Sequence, residues 1–137
     1  MKRMVLLRAF TLPVLSCAVP PDRAPLPPLL PDKVTPLPYA GLLLRARALV
    51  SRANDAFYVD NWGDLDEAAR GLEQTAHYLA KAEDVPAKHK DTLATLSSDL
   101  GKLAKSLSEA ATVKDVKKST DLIAKLSAKV REMRLGD

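Results

Sequence analysis

Leucines recur at alternating steps of three and four along Leu93-Ala-Thr-Leu96-Ser-Ser-Asp-Leu100-Gly-Lys-Leu103-Ala-Lys-Ser-Leu107, which places them on one stripe of a helix. The residues between them (Thr95, Ser97, Ser98, Asp99, Lys102, Lys105, Ser106) are polar and predict a solvent face. This helix is expected from about Pro86 to Ala110. Three other stretches share the rhythm. From Tyr39 to about Asp60, Leu42, Ala46, Leu49, Ala53 and Ala56 form a stripe that Leu43, Val50 and Phe57 widen, with Arg45, Arg47 and Arg52 off it. A second stripe holds Leu65, Ala68, Ala69, Leu72, Ala76 and Leu79. The last holds Val116, Ile123, Leu126, Val130 and Met133, with Ser119 its one polar member and Leu122 broadening it.

The breaks between these stretches carry helix-start signals. Asn61, in Asp60-Asn61-Trp62-Gly63, can accept from the amides of the next turn, with Asp64 three residues on. Glu83-Asp84-Val85-Pro86 divides the second and third helices, Asp84 as cap and Pro86 in the first turn. Thr112-Val113-Lys114-Asp115 has the capping-box pattern. Asp64, Asp66 and Glu67 crowd the start of the second helix, where its dipole favours negative charge; the turn glycine and ligand spacing of a calcium loop are missing. Four helices of about 20 to 25 residues, joined by links of about three, predict an all-α, up-and-down antiparallel four-helix bundle over residues 39–137. The alanines facing inward on the first two helices should let that pair approach closely. A long helical hairpin that dimerises would satisfy the same stripes.

The first forty residues are of another kind. Met1-Lys2-Arg3 opens a stretch that is apolar from Met4 to Ser16 except for Arg8, the profile of a secretory signal. It ends in Val14-Leu15-Ser16-Cys17, which resembles the lipobox of bacterial lipoproteins. That resemblance implies cleavage before Cys17 and lipid on its thiol, so residues 1–16 are expected to be a signal peptide. Ser16-Cys17-Ala18 is also a small-x-small cleavage site that would release a soluble exported protein, and an uncleaved apolar N-terminus is the third option. From Ala18 to Pro38 lie eight of the ten prolines. Proline lacks an amide hydrogen and keeps its predecessor out of the helical region. Residues 17–38 are therefore expected to join the lipid-attachment cysteine to a semi-rigid stalk that reaches roughly 60 Å when stretched; a ligand for proline-binding domains is the competing role.

Charge follows this division. The net charge of +4 invites a nucleic-acid reading, but Lys2, Arg3 and Arg8 lie in the signal region. Without residues 1–16 the chain keeps 18 bases against 17 acids, interspersed, with no basic stripe interleaved with aromatics. No nucleic-acid partner is expected. The single cysteine excludes an intramolecular disulfide and a thiolate metal cage, and no run is long enough to span a bilayer.

Candidate chemistry is sparse. Asp64-Leu65-Asp66-Glu67-Ala68-Ala69 through Leu79, Val85-Pro86 and the leucine-rich third helix resemble the cytochrome c-prime bundles of the periplasm. That resemblance implies an exported four-helix bundle. Cys-x-x-Cys-His is absent and the last helix has no histidine, so no haem is expected and no haem residue carries over. His77 flanks its helix's apolar stripe, and His89 continues the third helix's stripe at its first turn. Both are expected at one hairpin end, where a metal held with Glu73 or Asp91 is conceivable. Glu73 and His77 have the wrong spacing for the di-iron bundle motif, and both histidines are read as end-of-bundle side chains with no metal assigned. There is no nucleophile elbow and no phosphate loop. Tyr58 and Trp62, near the first turn, either close the core or present an aromatic patch to a partner.

The sequence thus predicts a non-catalytic cell-envelope lipoprotein, membrane-anchored through Cys17, whose bundle binds or spaces an unidentified protein partner with its ends or outer faces. The alternative is an exported bundle that binds a small ligand or metal ion. No enzyme is expected, because no acid-base or nucleophilic set converges.

Overall fold

Pro38 sets where the helical part begins: its backbone is extended (ψ 138°) and the next residue opens α1 (Tyr39–Tyr58). The computed structural model describes residues 26–30 and 37–134. The expected signal peptide, Cys17 and most of the expected stalk lie outside the described residues. α2 (Trp62–Leu79), α3 (Leu93–Thr112) and α4 (Val116–Glu132) follow, with one 3-10 turn at Ala87–His89 and no strand among the described residues.

Each helix packs on its neighbours in sequence, and α4 packs back on α1 to close a ring of four. Side-chain links between helices give their direction. Arg52, late in α1, pairs with Asp64, early in α2, at 2.8 Å. Ser108, late in α3, donates to Asp66 of α2. Lys129, late in α4, reaches Asp99, early in α3, at 3.6 Å. Neighbours run antiparallel, and the fold is an all-α, up-and-down four-helix bundle. Its stripes are covered within one chain. The acids at the start of α2 thus do more than meet its dipole, since Asp64 and Asp66 tie α2 to both flanking helices.

The two short links are built alike. Val59-Asp60-Asn61 and Val113-Lys114-Asp115 each place their middle residue in the left-handed region, at φ 55°. The third residue's amide donates back to Ala56 O or Ala110 O (2.9 Å each), and the middle residue's amide to Phe57 O or Ala111 O (3.2 and 3.1 Å). These are the paired bonds of a Schellman ending. The third residue then caps the next helix: Asn61 Oδ1 accepts from the Asp64 amide at 3.1 Å and Asp115 Oδ1 from the Lys118 amide at 2.9 Å. Thr112 opens no capping box. It lies inside α3 and donates to Ser108 O at 3.0 Å, because α3 does not turn until Lys114.

The middle link departs from expectation. It runs from residue 80 to 92, and α3 starts at Leu93 rather than near Pro86. His89 N–H→Pro86 O (2.9 Å), Lys90 N–H→Ala87 O (3.4 Å) and Thr92 N–H→His89 O (3.2 Å) are three-residue bonds, tighter than an α-helix. Asp84 does not cap α3. Its Oδ1 accepts the Tyr39 amide at 2.7 Å, so it serves α1, whose own N-cap is a proline without a side-chain acceptor. The helices accordingly run 17 to 20 residues.

The stripes of α1 and α2 are buried as their spacing predicts, except that Phe57 is half-buried, and Gly71 and Thr75 are added. Leu49 seats over Gly71, where a Cβ would stand 3.0 Å from Leu49 Cδ2. α3 is rotated from its leucine ladder. Leu93, Leu100 and Leu107 are buried, but Ser97, Ala104 and Ala111 complete the line, while Leu96 and Leu103 are half-buried. Small residues serve better where α3 meets α2: a Cβ at Gly101 would lie 3.6 Å from Ala76 Cβ. Ser97, read as solvent-facing, donates to Ala94 O at 3.2 Å and so is satisfied while buried. Val116, read as core, is 56% exposed at the first position of α4.

The described part of the proline-rich stretch lies along the bundle. Leu30 exchanges both main-chain groups with Gln74 of α2, N–H to Oε1 at 2.7 Å and O from Nε2 at 2.5 Å. Arg45 donates to Pro28 O at 2.6 Å, and Leu26 and Leu30 pack on the core. At least this portion is held against the helices instead of standing free.

Two core positions give opposite expectations. Leu100 is fully buried. Losing such a side chain costs about 2–5 kcal/mol, and an unpaired carboxylate in its place costs several more, against roughly 5–15 kcal/mol for a whole domain. Leu100→Asp is expected to unfold the bundle, and an intact helical spectrum with unchanged melting would contradict this. Ser119 is fully buried with no hydrogen-bond partner for Oγ. Ser119→Ala is expected to stabilise by about 1 kcal/mol in denaturant titration.

Candidate functional site

The bundle has two unlike ends. At the one where α1 begins, three chain segments meet. The Tyr39 ring is fully buried and its hydroxyl donates to Met133 O at 2.7 Å. His89, from the 3-10 turn, stacks on Tyr39 with centroids 6.2 Å apart, and its Nε2 lies 2.8 Å from Arg134 O. A carbonyl only accepts, so Nε2 carries the proton. The last turn of a helix leaves carbonyls without helical partners, and here Tyr39 and His89 take up two just past α4.

His89 is therefore a structural side chain bound to the end of α4. His77 is exposed on α2, edge-on to Tyr78, and lines a groove of about 420 Å3 between α2 and α3. Glu73 and Lys102 line the same groove, over a floor that includes Ala76 and Gly101. His77 and Glu73 thus share a surface, but His89 and Asp91 do not line it. The 3-10 turn carries His89 under Tyr39 instead. Among the described residues no group of three or more His, Cys, Asp or Glu side chains is placed to hold a metal ion.

The far end is formed by the two Schellman turns. Trp62 packs on the core and meets Phe57 edge-on at 5.9 Å, while Tyr58 is 78% exposed. The two candidates thus divide: Trp62 closes the core and Tyr58 faces solvent. Val59, Val113 and Val116 are exposed beside these turns, which places four large apolar side chains on one tip. Lys114, Lys117 and Lys118 flank the valines of the α3–α4 turn, and Asp60 stands at the α1–α2 turn. Sequence periodicity missed this tip, because Val116 fits the core stripe and Val59 and Val113 fall in breaks.

No helix among the described residues is long and apolar enough to cross a membrane. The chain matches no protein-family model, no curated protein and no solved structure. The likeness to cytochrome c-prime bundles rests on the sequence alone.

Burial raises the Tyr39 hydroxyl pKa above its usual 10.0, because the phenolate would lose its hydration. Above about pH 10 the unfolded chain therefore binds fewer protons than the folded one, and stability falls as pH rises until Tyr39 itself ionises; below that pH the contribution is intact. Tyr39→Phe is expected to cost about 1 kcal/mol at neutral pH, through the lost bond to Met133 O, and to flatten the alkaline fall. Melting curves from about pH 8 to about pH 11 check this, and parallel profiles for wild type and variant would refute it.

Proposed function

We propose that this chain is a non-catalytic lipoprotein of the bacterial cell envelope, anchored by lipid on Cys17, whose bundle offers its turn end to a protein partner. The observation that carries the reading is the exposed apolar tip of Tyr58, Val59, Val113 and Val116. Exposed apolar side chains gathered at one place mark interaction surfaces more often than the same number scattered. The tip is also on the side away from the tether. Pro28 and Leu30 bond to Arg45 and Gln74, and the 13 residues from Arg45 to Tyr58 carry the tip about 20 Å beyond that attachment. A bundle tethered through this stretch would hold the tip outward. Charge orients the partner: acids suit the corner with Lys114, Lys117 and Lys118, and a base suits Asp60, around an apolar centre.

Two experiments on the full chain in a bacterial host test the two halves. Palmitate should label the wild type but not Cys17→Ser, and an unlabelled wild type in the soluble fraction removes the anchor. A photo-crosslinking residue at Tyr58 or Val113 should give an adduct of one size that disappears with Val116→Asp while the circular dichroism is unchanged. Adducts insensitive to Val116→Asp, or none from either position, remove the tip as the docking surface.

A further inference from the structure

α4 packs less extensively on α1 than any other adjacent pair of helices, and a groove of about 380 Å3 opens between them. α1 lines it with Arg47, Ser51 and Asn54, and the opposite wall carries Ser127, Arg131 and Arg134. The α1 trio is spaced over two helical turns and forms one stripe, Ser127 and Arg131 are one turn apart on α4, and Arg134 follows just past the helix end. Val50 and Val130 complete the lining, and no carboxylate belongs to it.

The arginines of this groove differ from the others. Arg45 bonds Thr75 Oγ1 and Pro28 O, Arg52 pairs with Asp64, and Arg70 pairs with Asp66. Arg47, Arg131 and Arg134 have no side-chain hydrogen bond or ion pair among the described residues, and all three converge on one groove. The favourable field at the end of α4 accounts for Arg131 and Arg134. It does not account for Arg47, in the third turn of α1, where no helix end calls for a base. Three like charges collected without an acid repel one another, and an anion between them relieves that repulsion.

We infer that the α1–α4 groove binds a phosphate-class oxyanion of two or more charges, either a soluble phosphomonoester or the phosphomonoester headgroup of an anionic lipid. A guanidinium fork pairs two oxygens at once. A phosphate offers enough oxygens for three forks, whereas a lone carboxylate has two and leaves a fork idle. Ser51 and Asn54 supply neutral donors further along the groove for ester or hydroxyl oxygens, and the valines accept a short aliphatic portion; the Ser127 hydroxyl already donates to Ile123 O at 2.9 Å. The volume lies within the usual range of roughly 300–1,000 Å3 for small-molecule sites. Arg134 stands at the end of the bundle where α1 begins. The headgroup option rests on the lipoprotein reading; the oxyanion chemistry does not.

The purified full chain is tested in two arms, each against Arg47→Glu/Arg131→Glu. Titration with inorganic pyrophosphate should show one site and a raised melting temperature, lost in the double variant and weakened about tenfold by Arg47→Lys, which keeps the charge but not the fork. Arg70→Ala, off the groove, should bind as wild type. Co-sedimentation with phosphatidylcholine vesicles, with and without phosphatidic acid, forms the second arm; any N-terminal anchor acts equally on both vesicles and cancels. Pyrophosphate binding without a vesicle preference assigns a soluble ligand. A preference for phosphatidic acid that the double variant loses assigns a headgroup. No response in either arm, or responses that persist in the double variant with an intact helical spectrum, overturns the proposal. Neither arm involves the apolar tip, so its failure is separable from that of the partner reading.

Discussion

The first and last helices of this bundle are joined by no turn, so the ring closes through side chains that hold the end of α4. Tyr39 and His89 do this together, each bonded to a carbonyl beyond the last turn and stacked on the other. Asp84 adds the reciprocal constraint by accepting the first amide of α1. The three residues come from the start of α1 and from the middle link, so the link that looks like a spacer serves as a clasp. This explains its length. A three-residue turn like the other two could not carry one acceptor to α1 and one ring to α4. It also explains why α1 and α4 leave a groove beside Val50 and Val130: they are pinned at one end and packed thinly along the rest.

The opposite end obeys a different constraint. Both short turns place a residue with a side chain in the left-handed region, a conformation that disfavours Cβ by roughly 1–2 kcal/mol and that helix endings usually give to glycine. Asp60 and Lys114 occupy it instead, and they put opposite charges at the two corners of one tip. Glycine there would lower the strain and remove both charges. The valines beside them are a second departure, since Val59 and Val113 occupy exposed positions that the turn geometry does not require to be apolar. These choices bear on the surface more than on the fold.

Periodicity made most of the fold legible, because a three-four rhythm depends only on which residues face inward. It located all four helices and nearly all the buried positions of α1 and α2. It erred where a local rule competed with a distant partner. Asp84 looked like a cap for the helix that follows it, yet the amide it holds is 45 residues earlier in the chain. His89 fitted the ladder's spacing, but its ring is drawn to Arg134, again 45 residues away. The ladder overstated Leu96 and Leu103 and understated Ser97, because spacing cannot report that α2 comes close enough to favour small residues. The candidate sites were harder to read for the same reason. Tyr58 and Trp62 were visible as aromatics, but Val59, Val113 and Val116 join them only when both hairpins turn at one end. Arg47 was visible only as a base off a stripe, and spacing gave no reason to join it to Arg131 and Arg134.

Distribution along the bundle axis links these features. The clasp and Arg134 share one end, and the exposed valines and Tyr58 share the other. The cationic groove runs between α1 and α4 from Arg134 to Asn54, so charge and exposed apolar surface occupy different parts of the bundle. In the core between the ends, Ser119 is fully buried with its hydroxyl unpartnered among the described residues. The proposed ligand and the proposed partner therefore meet the bundle at separate surfaces, the α1–α4 groove and the turn tip.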